Sequence, residues 1–224
     1  MERRASLLLA IALLLTACGA DQGTASTPTA TASPNELPIE GDLTAGSYSL
    51  SDFPVAITFD IPPFEPPAVW FVCSPSPVEQ AVCNGVPPAP VSAVTFQIVD
   101  NVVAGCSDNQ DTAELLDPPV GPSVDDLVTA ISSLEGYEAT APVDITVSGF
   151  KGKEFTLTAV RHGCGATWAT AQRTTGMGVG ESNLLRILDV DGVRVVIAGA
   201  YHASTAEADV ATIEQVMDSV QIET

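Results

Sequence analysis

Hydropathy along the chain falls into three regimes. Residues 7–15 form an unbroken apolar run, the next two dozen residues are small and polar, and from about Gly46 apolar positions recur in short blocks. Within those blocks SYSLSDF (47–53) and AITFDIPP (56–63) predict two short strands joined by a turn, and PAVWFVC (67–73) predicts a strand or strand edge. Pro62, Pro63, Pro66 and Pro67 exclude helix between the second and third, because proline lacks the N–H that a helix interior needs. VSAVTFQIV (91–99) is a dense run of β-branched and aromatic residues and predicts a buried strand.

The period then changes. Val124, Leu127, Val128, Ile131 and Leu134 recur at helical spacing. Ser123 with Asp126 three residues on makes an acidic variant of the capping box, and Gly136 supplies the stop. PVDITVSGF alternates Val143, Ile145 and Val147 against polar residues, and KEFTLTAV alternates Phe155, Leu157 and Ala159. The link Gly149-Phe150-Lys151-Gly152 is short enough for a hairpin. In ESNLLRILDVDGVRVVIAGAYH two apolar runs flank Asp191-Gly192, a hairpin turn pair. A second helix is expected in STAEADVATIEQVMDSV, with Ser204 and Glu207 as its capping box and Val210, Ile213, Met217 and Val220 as its stripe. A short strand QIE follows. The predicted fold class is α+β: a mostly antiparallel sheet built from hairpins with two amphipathic helices packed on it, in one globular domain over 46–224.

The first regime has a different meaning. Arg3 and Arg4 precede the apolar run, which is well short of the roughly 20 residues a spanning helix needs. It ends in Leu15-Thr16-Ala17-Cys18, which resembles the bacterial lipobox, a cleavage motif closed by a cysteine that becomes lipidated. Small residues before the cysteine let the signal peptidase approach the backbone, and the thiol becomes the thioether that carries diacylglycerol. On this reading residues 1–17 are a lipoprotein signal peptide and the mature chain begins at Cys18. Residues 18–45, rich in Ser, Thr, Ala and Pro, are a flexible tether that cannot bury a core. One acyl chain, at about 0.8 kcal/mol per buried methylene, holds a protein only reversibly, so the two or three chains (palmitate among them) of such a cysteine are what make attachment stable. The expected location is the cell membrane, lipid-anchored through Cys18 and facing the extracytoplasmic side.

Charge narrows the partners. Lys and Arg number 8 against 28 Asp and Glu, a formal net charge of −20. Beyond the leader every base, Lys151, Lys153, Arg161, Arg173, Arg186 and Arg194, falls between 151 and 194. A nucleic-acid partner is excluded, since phosphate binding needs clustered Lys and Arg. Acidity also opposes anionic headgroups, so membrane contact has to come from the anchor.

Past Cys18 four cysteines remain, an even number that favours disulfides outside the cytoplasm. Three pairings are open. Cys73–Cys83, closing a local Pro-rich loop, with Cys106–Cys164, tying the segment before the first helix to the loop after the 153–160 strand, is preferred. The rival is a thiolate metal site using His162 and Cys164, although no C-x-x-C occurs.

Reaction chemistry is not legible. G-x-S-x-G, H-E-x-x-H and P-loop patterns are absent. Gly176, Gly178 and Gly180 do not sit between a strand and a helix, so a flexible loop is expected there rather than a phosphate cradle. Asp189-Val190-Asp191-Gly192 lacks the further ligands of a calcium loop. His162 and His202 are the only histidines, and Asp108, Asp111, Asp125 and Asp126 read as solvated acids. No catalytic residue, cofactor or metal ligand is assigned.

Several short motifs recur together: Gly46, Tyr48, Phe53, Pro54, Thr58 and Phe59 early on, then a helix, a strand, Gly149-Phe150-Lys151-Gly152-Lys153, Asp189-Val190-Asp191-Gly192 in a hairpin, and a helix ending Asp218-Ser219-Val220. Over about 46–223 this layout resembles uncharacterised extracytoplasmic lipoproteins of actinobacterial type and, more distantly, PsbP-like α+β domains. The resemblance implies an accessory or binding role. The function expected is therefore a membrane-anchored, non-enzymatic module of the cell envelope that binds a small ligand or an envelope protein. The alternatives are an acidic divalent-cation binder and a hydrolase with an unrecognised site.

Overall fold

The computed structural model describes residues 33–50, 52–65, 68–85 and 92–223. The leader, the lipobox residues Leu15, Thr16, Ala17 and Cys18, and the tether up to residue 32 lie outside the described residues.

In chain order the elements are β1 (Asn35–Glu36), β2 (Asp42–Leu43), β3 (Gly46–Ser49), β4 (Ala56–Ile61), β5 (Trp70–Ser76), β6 (Glu79–Asn84), β7 (Ser92–Ile98) and β8 (Asn101–Val102). Then come α1 (Val124–Ser132), β9 (Tyr137–Ala139), β10 (Val143–Val147), β11 (Phe150–Ala159), β12 (Ala166–Ala169) and β13 (Thr174–Gly176). The chain closes with β14 (Glu181–Val190), β15 (Val193–His202), α2 (Glu207–Asp218) and β16 (Gln221–Glu223). The result is broadly α+β but dominated by sheet. Nearly every pairing is antiparallel, the exception being β1 with β3.

A nine-stranded sheet runs β10-β11-β14-β15-β7-β6-β5-β2, with β9 also on β11. Alternation along its central strands feeds two separate cores. Val94, Phe96, Val195, Ile197 and Leu188 face one way and pack under α2, through Ile213, Val216 and Met217, and under the sheet β1-β3-β4-β16. Phe155, Leu157, Leu185, Ile187, Val196 and Ala198 face the other way and pack under α1, through Leu127, Val128 and Ile131, and against Trp168 of the β13-β12-β8 ribbon and Met177 just beyond it. The expected single helix-covered sheet is thus a central sheet with a helix and a smaller sheet on each face.

Several expected features have structural counterparts. Ser123 caps α1 as predicted: its hydroxyl accepts from the Asp126 N–H, and Asp126 accepts from the Ser123 N–H. Asp191 and Gly192, with φ of 52° and 85°, form the turn between β14 and β15. Three features differ. α2 is capped by Ala206 without a side-chain bond, and Ser204 is drawn away to the His202 ring at 2.9 Å, so the predicted Ser204–Glu207 box does not form. The β10–β11 turn is Ser148-Gly149, both with positive φ, because Val147 and Phe150 pair across it; the link predicted at 149–152 is mostly strand. Ordered chain also begins before 46: β1 and β2 pair with β3 and β5, and Leu37 and Leu43 are buried in the first core.

The cysteines pair as Cys73–Cys83 and Cys106–Cys164, with Cα separations of 5.8 and 4.4 Å. The first bridges two adjacent strands and closes the short Pro-containing hairpin between them. Cys73 occupies a bulge between Val72 and Ser74, which lets its sulfur reach Cys83 on β6. In the second, Cys164 is buried against Gly136, and the Tyr137 hydroxyl donates to the Cys164 carbonyl.

Candidate functional site

The face of the large sheet that packs under α1 and the ribbon is not completely covered. Beyond the ribbon it forms the floor of a groove of about 440 Å³. Strand register explains the floor. Ala81 on β6 lies opposite Thr95 on β7, Thr95 opposite Ala198 on β15, Ala93 opposite Ala200, and Ala200 opposite Asn183 on β14. Strand side chains alternate between faces, so these short side chains share one face and leave space above it. The Cys73–Cys83 disulfide lies at the β5 end, and Trp168, Thr175 and Met177 of the ribbon and its flank form the opposite wall.

Two contacts clamp the ribbon to the floor. The Trp168 Nε1–H donates to Gln97 Oε1 at 2.6 Å, both side chains buried. Arg173, in the turn between β12 and β13, pairs with Glu79 through two guanidinium nitrogens, with Nε at 3.2 Å. The Glu79 side chain is only 4 % exposed and also accepts from the Ser74 hydroxyl. An isolated carboxylate at that depth would be very costly, and the guanidinium offsets the cost. The hydrogen bonds it donates to Glu79 in turn hold the Arg173 guanidinium above its usual value.

Asn183 is different. The residue is 7 % exposed, it faces the groove, and its carboxamide has no hydrogen-bond partner among the described residues. The amide nitrogen of Gln97 likewise has no partner among the described residues, its oxygen being taken by Trp168. Both carboxamides reach the solvent of the groove, so a ligand seated there can engage their unused donors and acceptors.

A second cleft, of about 480 Å³, shares Gln110, Gly176, Met177 and Glu181 with the first and continues to Asp108 and His162. Its polar groups are largely engaged. Asp108 accepts from the Gly165 N–H at 3.1 Å and Glu181 from the Gly178 N–H at 2.5 Å. Burial pushes the nearby Tyr137 phenol well above its usual value, and the Glu181 and Asp108 carboxylates add to that.

The residues singled out in the sequence are dispersed. Both sulfurs of the Cys106–Cys164 pair are oxidised, so Cys164 offers no thiolate to a metal beside His162. His202, at the end of β15, accepts the Ser204 N–H at Nδ1, and its ring lies against Gly180. The Gly178 and Gly180 N–H groups are bonded to Glu181 and to the Ala159 carbonyl, so they form no anion cradle. Asp189 accepts from the Gly192 N–H at 2.8 Å within its turn. No group of three or more His, Cys, Asp and Glu suited to a metal occurs among the described residues. No described helix is long and apolar enough to cross a membrane.

The groove residues Glu79, Gln97, Arg173 and Asn183 were not signalled by any motif, because they come from four separate segments. The visible trace is the run of small residues at alternate positions, Ala81 and Cys83, Ala93 and Thr95, Ala198 and Ala200. No family model, no curated protein and no solved structure matches this chain.

Proposed function

We propose that this protein is a lipid-anchored, extracytoplasmic binding module without enzymatic activity, and that the sheet-face groove is its binding site. The observation that carries the reading is the groove itself, with its short-chain floor, its clamped wall and the unpartnered Asn183 carboxamide. Two disulfides favour an oxidising compartment, in keeping with export. The Leu15-Thr16-Ala17-Cys18 motif supports the anchor, and the tether from Cys18 would let the domain sample the space above the bilayer. The layout resembling uncharacterised extracytoplasmic lipoproteins points the same way.

The test has two arms. Cys18→Ser should abolish lipidation and release the protein from the membrane fraction or leave its precursor uncleaved; unchanged partitioning of a processed chain contradicts the anchor. For the groove, the melting temperature of the full chain is read with and without a low-molecular-weight extract of the parent envelope. A ligand at 100 times its Kd stabilises by about 2.7 kcal/mol, which for a domain of this size is roughly 5–11 °C. Ala93→Phe, which fills the groove from its floor, should lose that rise. No rise in the parent protein, or an equal rise in the variant, contradicts the reading.

A further inference from the structure

We infer that the groove takes an uncharged, polyhydroxylated ligand, a saccharide unit, held by the carboxamides of Asn183 and Gln97 over a floor of alanine methyl groups. This rests on the groove being the binding site, and it names the chemistry of the ligand.

The first argument is polar complementarity. Asn183, more than nine-tenths buried, presents two donors and an acceptor, none of them used by the described residues. Gln97 adds amide donors and Thr95, half-buried beside them, a hydroxyl, neither of which has a partner among the described residues. The ligand must therefore accept and donate at closely spaced positions. Adjacent hydroxyls on a ring do both, and a planar carboxamide spans such a pair.

Charge supplies the second argument. Glu79, Arg173 and Glu181 sum to one negative charge in the groove, within a chain of net −20, which disfavours an anion. Arg173 is already neutralised by Glu79, and each carboxylate already has a partner inside the protein. An anionic ligand would have to displace Glu79 from Arg173, whereas a neutral one need not.

The floor provides the third. Ala81, Ala93, Ala198 and Ala200 present methyl groups side by side on a sheet, which suits the flat C–H face of a sugar ring. An aromatic ligand could rest there too, but it would leave Asn183 and Gln97 unsatisfied, and a site built to pair polar groups rejects ligands that lack them. The volume of about 440 Å³ lies in the ordinary range of small-molecule sites.

The experiment is saturation-transfer-difference NMR on the full chain in a detergent that contains no sugar. The probes are glucose, galactose, mannose, N-acetylglucosamine and, as a peptide mimic, N-acetylalanine methylamide. At least one sugar should receive saturation, and Asn183→Leu should weaken its binding tenfold or more. The variant should melt no lower than the parent, because the amide it removes has no partner among the described residues. Ala93→Phe, on a different strand, should abolish binding as well and guards against a folding defect in the first variant. Asn183-dependent transfer to the peptide mimic alone would overturn the saccharide assignment and leave the groove as a binding site. Transfer to no probe, or sugar binding indifferent to Asn183, would overturn the inference, while the envelope-extract measurement independently decides the wider reading.

Discussion

Replacing Cys106 and Cys164 together by alanine gives the largest effect that can be worked out from the chain connections. The two cysteines are 58 residues apart, and the loop they close contains α1, β9, β10 and β11. On the loop-entropy model a crosslink of that span contributes about 4 kcal/mol by restricting the unfolded chain. Cys73 and Cys83 are only 10 residues apart, and the same model gives them about 3 kcal/mol. A protein of this size loses roughly 2–4 °C of melting temperature per kcal/mol, so the 106–164 variant should melt about 8–16 °C lower. Packing adds to this in the native state. A Cβ placed on Gly136 would come within 2.7 Å of the Cys164 sulfur, so sulfur removal leaves a void in a close-packed corner. The assay is urea unfolding followed by fluorescence of the buried Trp70 and Trp168. The midpoint should fall and the denaturant slope should rise, because the released unfolded chain exposes more surface. A loss below about 1 kcal/mol, or a larger loss for the 73–83 double variant, would refute the reasoning.

Other consequences follow from single side chains. Arg194 donates to the carbonyls of Gly121, Val99 and Ser123, at 2.5, 2.9 and 3.3 Å, and so ties the segment before α1 to the end of β7. Arg194→Met should cost about 2–4 kcal/mol, since the carbonyls lose charge-assisted bonds, and hydrogen exchange should speed up first at the start of α1; unaltered exchange there would contradict the assignment. Asp126 is held below its ordinary value of 3.8 by the Ser123 hydroxyl and backbone N–H. A depressed folded value means stability that is complete above the unfolded value and lost as pH falls through the folded one. The melting-temperature gap between the parent and Asp126→Asn should therefore be widest at neutral pH and close between about pH 5 and 2; a constant gap would contradict it. A Cβ on Gly199 would lie 2.5 Å from Met217 Sδ and 2.7 Å from Ile213 Cγ2. Gly199→Val should thus push α2 off the sheet and cost about 1–3 kcal/mol or more, read by thermal unfolding.

The elements that the sequence made legible are those whose pattern is local. β14 and β15 alternate on both sides of a two-residue turn, and α1 has a capping residue, a stripe and a terminating glycine. β6 was hidden because all six of its residues are buried, the polar Glu79, Gln80 and Asn84 as well as Ala81, Val82 and Cys83, so the stretch shows no period of two. β8, β12 and β13 are too short to carry a period, and their pairing depends on tertiary contacts such as Trp168 with Gln97. The cap of α2 lies two residues beyond the predicted one, at Ala206, because Ser204 has a competing partner in His202, which sequence spacing does not reveal. Disulfide pairing was legible as a preference among three arrangements, whereas the strand geometry of Cys73 and Cys83 required the unpredicted β6. The groove was least legible, since alanines at alternate positions in a strand mark an open face only when nothing larger covers them.

Native mass spectrometry of the full chain, purified from its native host, tests the central claim most directly. The account predicts a bound neutral molecule of sugar-like mass in addition to the lipid on Cys18, present in the parent protein and absent from Ala93→Phe and Asn183→Leu. A parent protein carrying no such mass, or one carried equally by both groove variants, would contradict it.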